Sequence, residues 1–186
     1  VISHAERGEP YILQPHTIGS IINEAEAAME EKSEASLAKG TRIHDLLSRF
    51  CDGEFADEEH QEDLVIAFQD WLDKNQFEVV DSERIVSSHR YEFAGTYDLL
   101  LRSSNHMAHN HPVYVIADIK TSLDKAPRAY PDHALQLAAY AQAYQEMTGN
   151  EVAECVVILI DLDDETGEVR IEDRAVDDLG ATQRMF

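Results

Sequence analysis

The amino-acid sequence predicts an α/β fold with a central mixed β-sheet flanked by helices. Apolar residues recur at helical spacing up to about residue 75, whereas residues 78–121 form short segments rich in β-branched and aromatic residues. One more helical segment and two more strand-like segments follow. This order of helices, three strands, one helix and two strands is that of an α/β domain with a mixed sheet.

Charge and composition limit the classes of protein to consider. The chain has 186 residues, 15 basic and 37 acidic, and a net charge of −22. Such acidity argues against coating nucleic acid by bulk charge, but a small basic cleft on an acidic body is compatible with it. We expect one domain over residues 1–186 and no membrane span, because the longest aliphatic run is far too short. With only Cys51 and Cys155 and no secretory pattern at the start, a reducing, cytoplasmic setting is expected.

The helical part is predicted over residues 21–76, after a loosely ordered segment of residues 1–20. Residues 21–35, rich in Ala and Glu, form a first helix, and residues 36–50 form a second. The second helix carries one apolar stripe at i, i+3, i+4 and i+7: Ile43, Leu46, Leu47 and Phe50. The acidic residues 54–63 form a solvated loop. A third helix over about 60–75 buries one face: Leu64, Phe68, Trp71 and Leu72.

The remaining residues, 78–176, form the αβ part. Residues 78–87, 91–102 and 113–121 are predicted to be an antiparallel meander, with a polar, turn-like link over 103–111. A helix begins at Pro131, a residue suited to the first helical position, and ends at Met147. The last two strands, 152–161 and 168–176, flank a hairpin turn over residues 163–167.

Charged residues inside two of these apolar strands are the strongest indication of a catalytic or metal-binding site. Side chains alternate along a strand, so Asp118 and Lys120 project from the same face. Both are costly to bury unless they pair with each other or with a metal ion. Asp98 lies in the preceding strand, within another apolar run. Carboxylate oxygens of this kind suit Mg²⁺ or Mn²⁺, which would lower the pKa of a bound water.

Four motifs in one order resemble the PD-(D/E)XK nuclease superfamily, specifically its RecB-type branch. They are Lys39-Gly40 followed by His44, then Gly95-Thr96-Tyr97-Asp98, Asp118-Ile119-Lys120, and Gln136 with Tyr140. The resemblance covers roughly residues 16–176. It implies a restriction-endonuclease-like core for the α/β fold.

The resemblance also implies a metal centre. In it, His44, Asp98, Asp118 and the backbone carbonyl of Ile119 hold one or two Mg²⁺ or Mn²⁺ ions, and Lys120 positions or activates the attacking water. Asp98, Asp118 and Lys120 are thus the predicted catalytic residues. Members often keep an acid near Glu83 on the first strand, so Glu83 is a further candidate ligand. An iron–sulfur cluster, which some RecB-type nucleases hold with four cysteines, is not expected with two.

The same resemblance suggests how DNA would be bound. Gln136 and Tyr140 would contact the DNA strand, and their i, i+4 spacing puts both on one helical face. Further predicted contacts are the basic residues on either side of the motifs: Lys39, Arg42, Lys125 and Arg128. Such a narrow basic cleft would suit one strand. We therefore expect DNA with a free end or in single-stranded form as the partner, with a protein partner compensating for the acidic surface.

The resulting prediction is a metal-dependent DNA exonuclease in recombination, repair or replication, in the cytoplasm of a bacterium or a phage-infected host cell. Two alternatives share the fold. One is a subunit that binds DNA ends or a partner protein in a recombination complex, and the other is a structure-specific endonuclease.

Structural explanations of the same residues also stay open. Asp118 and Lys120 could form a structural ion pair, and Tyr140 could belong to the core. The histidines of the polar link, His106, His109 and His111, are typical of an exposed loop. The acidic run from Asp161 is typical of a turn rather than of a calcium-binding loop.

Overall fold

The computed structural model describes residues 15–54, 61–108, 111–121 and 131–176. Three helices lie in these ranges: α1 (Pro15–Cys51), α2 (Gln61–Asn75) and α3 (Pro131–Thr148). The strands are β1 (Phe77–Ser88), β2 (Phe93–Ala108), β3 (His111–Thr121), β4 (Val152–Leu162) and β5 (Val169–Ala175). None of the helices described is long and apolar enough to cross a membrane.

The five strands form one sheet in the order β1-β2-β3-β4-β5. Strands β1, β2 and β3 pair antiparallel, as do β4 and β5, whereas β3 and β4 are parallel. A parallel pair needs a long crossover between its strands, and α3 lies in that crossover. The predicted α/β fold with a mixed sheet flanked by helices, including the meander, is therefore confirmed.

Both faces of the sheet are covered by apolar side chains. On one face, Leu99 and Leu101 of β2 pack in a cluster with residues of α1 and α2. On the other face, Leu100 packs in a cluster with residues of α3. The stripe predicted for α1 lies in the first cluster, with Phe50 packed at its margin, and so does the predicted face of α2. Because apolar side chains cover both faces of the sheet, polar side chains are expected mainly at the ends of its strands.

Helix α1 differs from the prediction. The two helices expected over 21–35 and 36–50 are one continuous helix, and it begins at Pro15, inside the segment expected to be loosely ordered. Ala35, Leu37 and Ala38 favour the helix on both sides of the expected break, and no proline follows Pro15 within α1 to interrupt it. Residues 1–14 lie outside the described residues.

Contacts divide the chain into residues 1–38 and residues 39–186. In the first unit, the described side chains of residues 22–38 are almost all exposed, among them Ile22, Met29 and Leu37. The second unit contains the rest of α1 and the whole sheet. The single domain over 1–186 stays a prediction.

The polar link expected over residues 103–111 is mostly strand. Strand β2 continues to Ala108 and β3 begins at His111, so that Ala108 pairs with His111 and Met107 with Pro112. Backbone pairing outweighs the low strand propensity of this polar sequence, although the register shifts between Ser103 and Met107. Residues 109–110 lie outside the described residues, as do 55–60 of the expected acidic loop. Residues 61–63 of that loop belong to α2.

Candidate active site

Three side chains of the kinds that can bind a metal ion converge, from three elements, beside the end of β3. They are His44 of α1, Glu83 of β1 and Asp98 of β2, and their candidate ligand atoms all lie within 4.8 Å of one another. The Nδ1 atom of His44 is 3.7 Å from Oε1 of Glu83 and 3.7 Å from Oδ2 of Asp98. We call these three residues the His44 cluster.

The imidazole of His44 is held in place by the backbone of β3. Its Nε2 atom lies 3.0 Å from the carbonyl oxygen of Ile119. Because a carbonyl only accepts, Nε2 carries the proton of this hydrogen bond. In the neutral ring, Nδ1 then presents its lone pair to the two carboxylates, the arrangement by which a carbonyl commonly orients a metal-binding histidine. The Ile119 carbonyl, a predicted ligand, is thus the hydrogen-bond acceptor of His44.

Asp98 reaches the cluster because the side-chain alternation of β2 is interrupted there. Tyr97 packs on the α3 side, edge-on to Tyr144, whereas Leu99 packs on the α1 and α2 side. The side chains therefore change face at Asp98, although the pairs Ser82–Leu99 and Arg84–Tyr97 on either side keep one register. The Oδ2 atom of Asp98 also accepts a hydrogen bond of 2.6 Å from the backbone N–H of Ile119.

Burial makes the charge of Asp98 expensive. It raises the pKa of the Asp98 carboxyl to about 6, while His44 lowers this pKa and Asp118 raises it by smaller amounts. The carboxylate is therefore ionised at neutral pH without full compensation from the protein. A bound cation would supply the missing charge.

Glu83 occupies an unusual backbone position directly across from Asp98. It lies between the pairs Ser82–Leu99 and Arg84–Tyr97, and its φ is +49°. Positive φ is uncommon for a residue other than glycine and carries strain, which tends to persist at functional sites. The side chain of Glu83 is 42% exposed and faces His44.

Asp118 and Lys120 form the ion pair that the alternation of β3 predicts. Lys120 Nζ donates to Oδ1 of Asp118 over 2.8 Å and lies 2.7 Å from Oδ2. The Asp118 side chain is only 5% exposed, and the Lys120 ammonium lies within 2.8 Å of both of its carboxylate oxygens. A carboxylate this deeply buried is costly without such a counter-ion or a metal ion. Asp118 does not belong to the His44 cluster, but it is close enough to affect the pKa of Asp98.

Gln136 and Tyr140 are neighbours on α3. The Nε2 amide of Gln136 donates a hydrogen bond of 3.0 Å to the hydroxyl of Tyr140. Gln136 is exposed, whereas the Tyr140 ring packs against the cluster on the α3 side of the sheet. The Tyr140 ring thus contacts the core, as one alternative predicted, and its hydroxyl contacts an exposed amide.

The basic residues predicted to bind DNA are placed differently. Lys39 donates to the carbonyl of Leu162 and lies 3.4 Å from Oδ2 of Asp164, and Arg42 also pairs with Asp164. These contacts are with the β4–β5 hairpin, so the structure does not bring Lys39 and Arg42 to the His44 cluster. Lys125 and Arg128 lie outside the described residues.

The β4–β5 hairpin itself is a turn, as predicted. Oδ1 of Asp163 accepts hydrogen bonds from the backbone N–H groups of Glu165 and Thr166, and Asp161 pairs with Arg170. The side chains of His106, His109 and His111 lie outside the described residues. The role of Asp164 was not predicted, because no spacing in the sequence links it to Arg42.

Two glycines are further features that sequence reasoning missed. An added Cβ at Gly95 would lie 2.4 Å from Cε1 of Tyr140, and one at Gly40 would lie 3.0 Å from Oγ1 of Thr121. Both glycines occur in the motifs quoted above, which was the available signal. A glycine is needed at each position because another residue, Tyr140 or Thr121, lies close to its backbone, and the sequence does not show this proximity.

Comparisons with known proteins add the family. Among solved structures, the chain is similar to the crystal structure of SSO0001, with 19% identity and a TM-score of 0.36. That likeness covers 67% of this chain and 55% of the other, so the chain spans about half the length of that protein. A search of curated proteins finds no match. A family model of the PD-(D/E)XK nuclease superfamily matches residues 62–185, which is about two thirds of the chain.

The matched residues include both aspartates of the site and Lys120, together with Glu83 and the Gln136–Tyr140 pair, whereas His44 precedes them. The match covers more than half of the chain and contains the strands that position these groups. The chain belongs to the PD-(D/E)XK nuclease superfamily.

Proposed function

We propose that this chain is a metal-dependent DNA exonuclease of the RecB-type branch, acting in recombination, repair or replication. The observation that carries the proposal is the convergence of His44, Glu83 and Asp98 beside the Asp118–Lys120 pair. Membership of the PD-(D/E)XK superfamily supports nuclease chemistry with a divalent metal ion. The RecB-type assignment is supported by the histidine on α1, which lies upstream of the strands.

Two features of the site fit a divalent cation. The buried Asp98 carboxylate lacks full charge compensation, and the nearly buried carboxylate of Asp118 is close enough to raise the pKa of Asp98. We propose His44, Asp98 and Asp118 as ligands, with Glu83 as a further one. Oxygen ligands with one imidazole suit Mg²⁺ or Mn²⁺, and the site would take one or two ions.

The Ile119 carbonyl has a special place among the proposed ligands. It already accepts the hydrogen bond from Nε2 of His44, and its second lone pair stays available for an ion. Its first role is to hold the imidazole with Nδ1 towards the carboxylates. The same peptide segment also fixes Asp98, because the N–H of Ile119 donates to it.

Lys120 is the proposed partner of the attacking water. A bound Mg²⁺ or Mn²⁺ lowers the pKa of a water ligand and neutralises charge on the phosphate. Lys120 Nζ is kept beside Asp118, yet its side chain is 33% exposed, so it can also donate to a water or to a phosphate oxygen. Asp98, Asp118 and Lys120 would thus form the catalytic group.

The substrate we propose is DNA with a free end or in single-stranded form. A net charge of −22 opposes broad contact with a duplex, and Asp164 engages Lys39 and Arg42. The binding surface would therefore depend on Gln136 and Tyr140. Lys125 and Arg128 are proposed contacts too, and a protein partner would help to hold DNA against the repulsion.

We propose further that this chain holds no iron–sulfur cluster of its own. A cluster of the RecB type needs four cysteine thiolates, and the chain has two cysteines. Cys51 and Cys155 belong to opposite faces of the sheet, and burial raises the pKa of both thiols, that of Cys51 to about 11. Two free thiols are compatible with a reducing setting, and we propose the cytoplasm of a bacterium or a phage-infected cell.

An end-labelled linear DNA separates an enzyme from a DNA-binding subunit. The wild-type protein is expected to release labelled nucleotides with Mg²⁺ or Mn²⁺ and not with EDTA. Lys120→Ala should abolish this release, whereas Lys74→Ala, which removes an exposed lysine from the end of α2, should not. Release by Lys120→Ala at the wild-type rate would contradict the proposed catalytic group.

The alternative functions give other outcomes in the same assay. Binding of the labelled DNA without any release would identify a DNA-binding subunit. Cleavage of circular single-stranded DNA would identify an endonuclease, because a circle has no end from which an exonuclease could start.

A further inference from the structure

The ring of Tyr140 lies where a side chain on Gly95 would be. Gly95 of β2 pairs with Val86 of β1, and an added Cβ would lie 2.4 Å from Cε1 and 3.0 Å from both Cζ and the hydroxyl oxygen of Tyr140. Real Cβ atoms essentially never come as close as 2.4 Å to another carbon. Any other residue at position 95 would therefore displace the aromatic ring or the strand.

The position of the ring determines which part of Tyr140 is accessible. The ring packs on Gly95 and against the core cluster on the α3 side. The Tyr140 side chain is only partly exposed, so little of the ring is open to stacking by a base. The hydroxyl, by contrast, meets the exposed amide of Gln136.

The hydroxyl of Tyr140 has a proton to donate. It accepts its hydrogen bond from Nε2 of Gln136, so its own O–H is not used in that bond. Within the ranges that the structure describes, no acceptor takes this proton. Accepting one hydrogen bond strengthens a hydroxyl as a donor. A phosphate oxygen is the acceptor that a nucleic-acid strand offers at every nucleotide, whatever its sequence.

We infer that Gly95 is a positioning residue, whose missing side chain seats the Tyr140 ring so that the hydroxyl, rather than the ring face, contacts the phosphate backbone of the DNA strand. The contact with DNA rests on the proposed function, but the packing of the Tyr140 ring on Gly95, which we call the seat, does not. Gly95 is not one of the proposed metal ligands; it precedes the proposed ligand Asp98 in the same strand.

A double-mutant cycle tests the seat without any need for activity. Gly95→Ala should lower the melting temperature of the wild-type protein, because the new methyl group meets the Tyr140 ring. In a Tyr140→Ala background, the same Gly95→Ala change should have almost no effect, because the space is then free. Thr96→Ala, which trims an exposed neighbour, should have little effect in either background. Equal losses from Gly95→Ala in both backgrounds would overturn the seat.

Tyr140→Phe tests the contact with the strand. It keeps the ring in place, so the melting temperature should not change, while affinity for a single-stranded oligonucleotide falls on the order of tenfold. In cleavage assays, KM should rise and kcat should stay close to that of the wild type. The salt dependence of binding should stay the same, because a neutral hydroxyl displaces no counter-ion from the phosphate. Wild-type affinity in Tyr140→Phe would overturn the hydroxyl contact in favour of the ring.

The packing of Tyr140 on Gly95 and the contact of its hydroxyl with DNA can be refuted separately. If the wild-type protein neither binds nor cleaves DNA, the proposed function fails and the strand contact fails with it. The melting-temperature cycle would still decide whether Gly95 seats Tyr140. If Gly95→Ala does not fold, a melting temperature of the Gly95→Ala/Tyr140→Ala double variant equal to that of Tyr140→Ala supports the seat, and a lower one overturns it.

Discussion

The Nε2 atom of His44 lies 3.0 Å from the carbonyl oxygen of Ile119, so a helix before the sheet is joined to the strand that carries Asp118 and Lys120. One turn earlier, Gly40 brings α1 close to Thr121 at the end of that strand. The distance between α1 and β3 is therefore set at two points, and the position of the imidazole depends on both.

Gly40→Ala should weaken metal binding while changing stability little. The added methyl group would lie 3.0 Å from Oγ1 of Thr121, so α1 or Thr121 must give way and His44 moves relative to Ile119. Alanine also favours the helix by about 1 kcal/mol, which offsets the crowding in the free energy of unfolding. Calorimetric titration with Mn²⁺ should give an affinity several-fold below that of the wild type. Gly40→Ala/Thr121→Ala should recover it, and failure to recover would mean that crowding is not the cause.

Asp98→Asn should stabilise the metal-free protein at neutral and alkaline pH. The pKa of Asp98 is 3.8 ordinarily and about 6 in the fold, so the folded state binds more protons between these values. Stability from this group is thus highest below the lower value, falls as the pH rises and reaches its minimum above the higher one. The difference corresponds to about 3 kcal/mol, and asparagine can still accept from the N–H of Ile119.

Chemical denaturation in EDTA at about pH 8 and about pH 4 measures this effect. Asp98→Asn should exceed the wild type in stability at the higher pH and match it at the lower one. Asp70→Asn, at an exposed position of α2, is the matched control and should show no such pH dependence. A variant less stable than the wild type at both pH values would contradict the uncompensated charge.

Glu83→Gly should weaken metal binding without destabilising the fold. Glycine adopts the φ of +49° without strain, which offsets the entropy that a glycine normally costs in a strand. Ser82→Gly, one residue earlier, should instead lower the free energy of unfolding by about 1 kcal/mol, since Ser82 has no positive φ. Denaturation curves and Mn²⁺ titrations on both variants measure the two effects. Unchanged Mn²⁺ affinity in Glu83→Gly would remove Glu83 from the proposed ligands.

Lys120→Ala should cost stability in the absence of metal. It leaves the buried Asp118 carboxylate without its counter-ion, and we expect a loss of about 2 kcal/mol after allowing for the partial exposure of Lys120. Adding Asp118→Asn should recover most of this loss, because no charge then stays buried. Denaturation in EDTA compares the three proteins. Equal losses in the single and double variants would mean that the pair is not the source of the effect.

The sequence was sufficient for the architecture and for much of the site. Helix α2 was predictable because apolar residues repeat on one face, and α3 because Pro131 suits a first helical position. The alternation in β3 placed Lys120 beside Asp118. The continuity of α1 was not predictable, because nothing in the sequence around residues 35–36 distinguishes one unbroken helix from two successive helices. The contact of Arg42 with Asp164 was not predictable either, because it joins residues far apart in the chain.

The Gly95 seat and the left-handed backbone of Glu83 were also beyond sequence reasoning. Periodicity describes the face on which a side chain lies, but it contains no information on which ring fills the space above a glycine. The placement of Lys39, Arg42 and the Gln136–Tyr140 pair as DNA contacts stays a prediction.

Mn²⁺ binding by His44 is the most direct test of the central claim, which is that this imidazole and the neighbouring carboxylates hold one cation. Calorimetric titration of the wild-type protein should reveal a Mn²⁺ site. His44→Ala should weaken it by at least about tenfold, whereas His89→Ala, at an exposed turn between β1 and β2, should not change it. Equal Mn²⁺ affinity in all three proteins, or no binding by the wild type, would contradict the account.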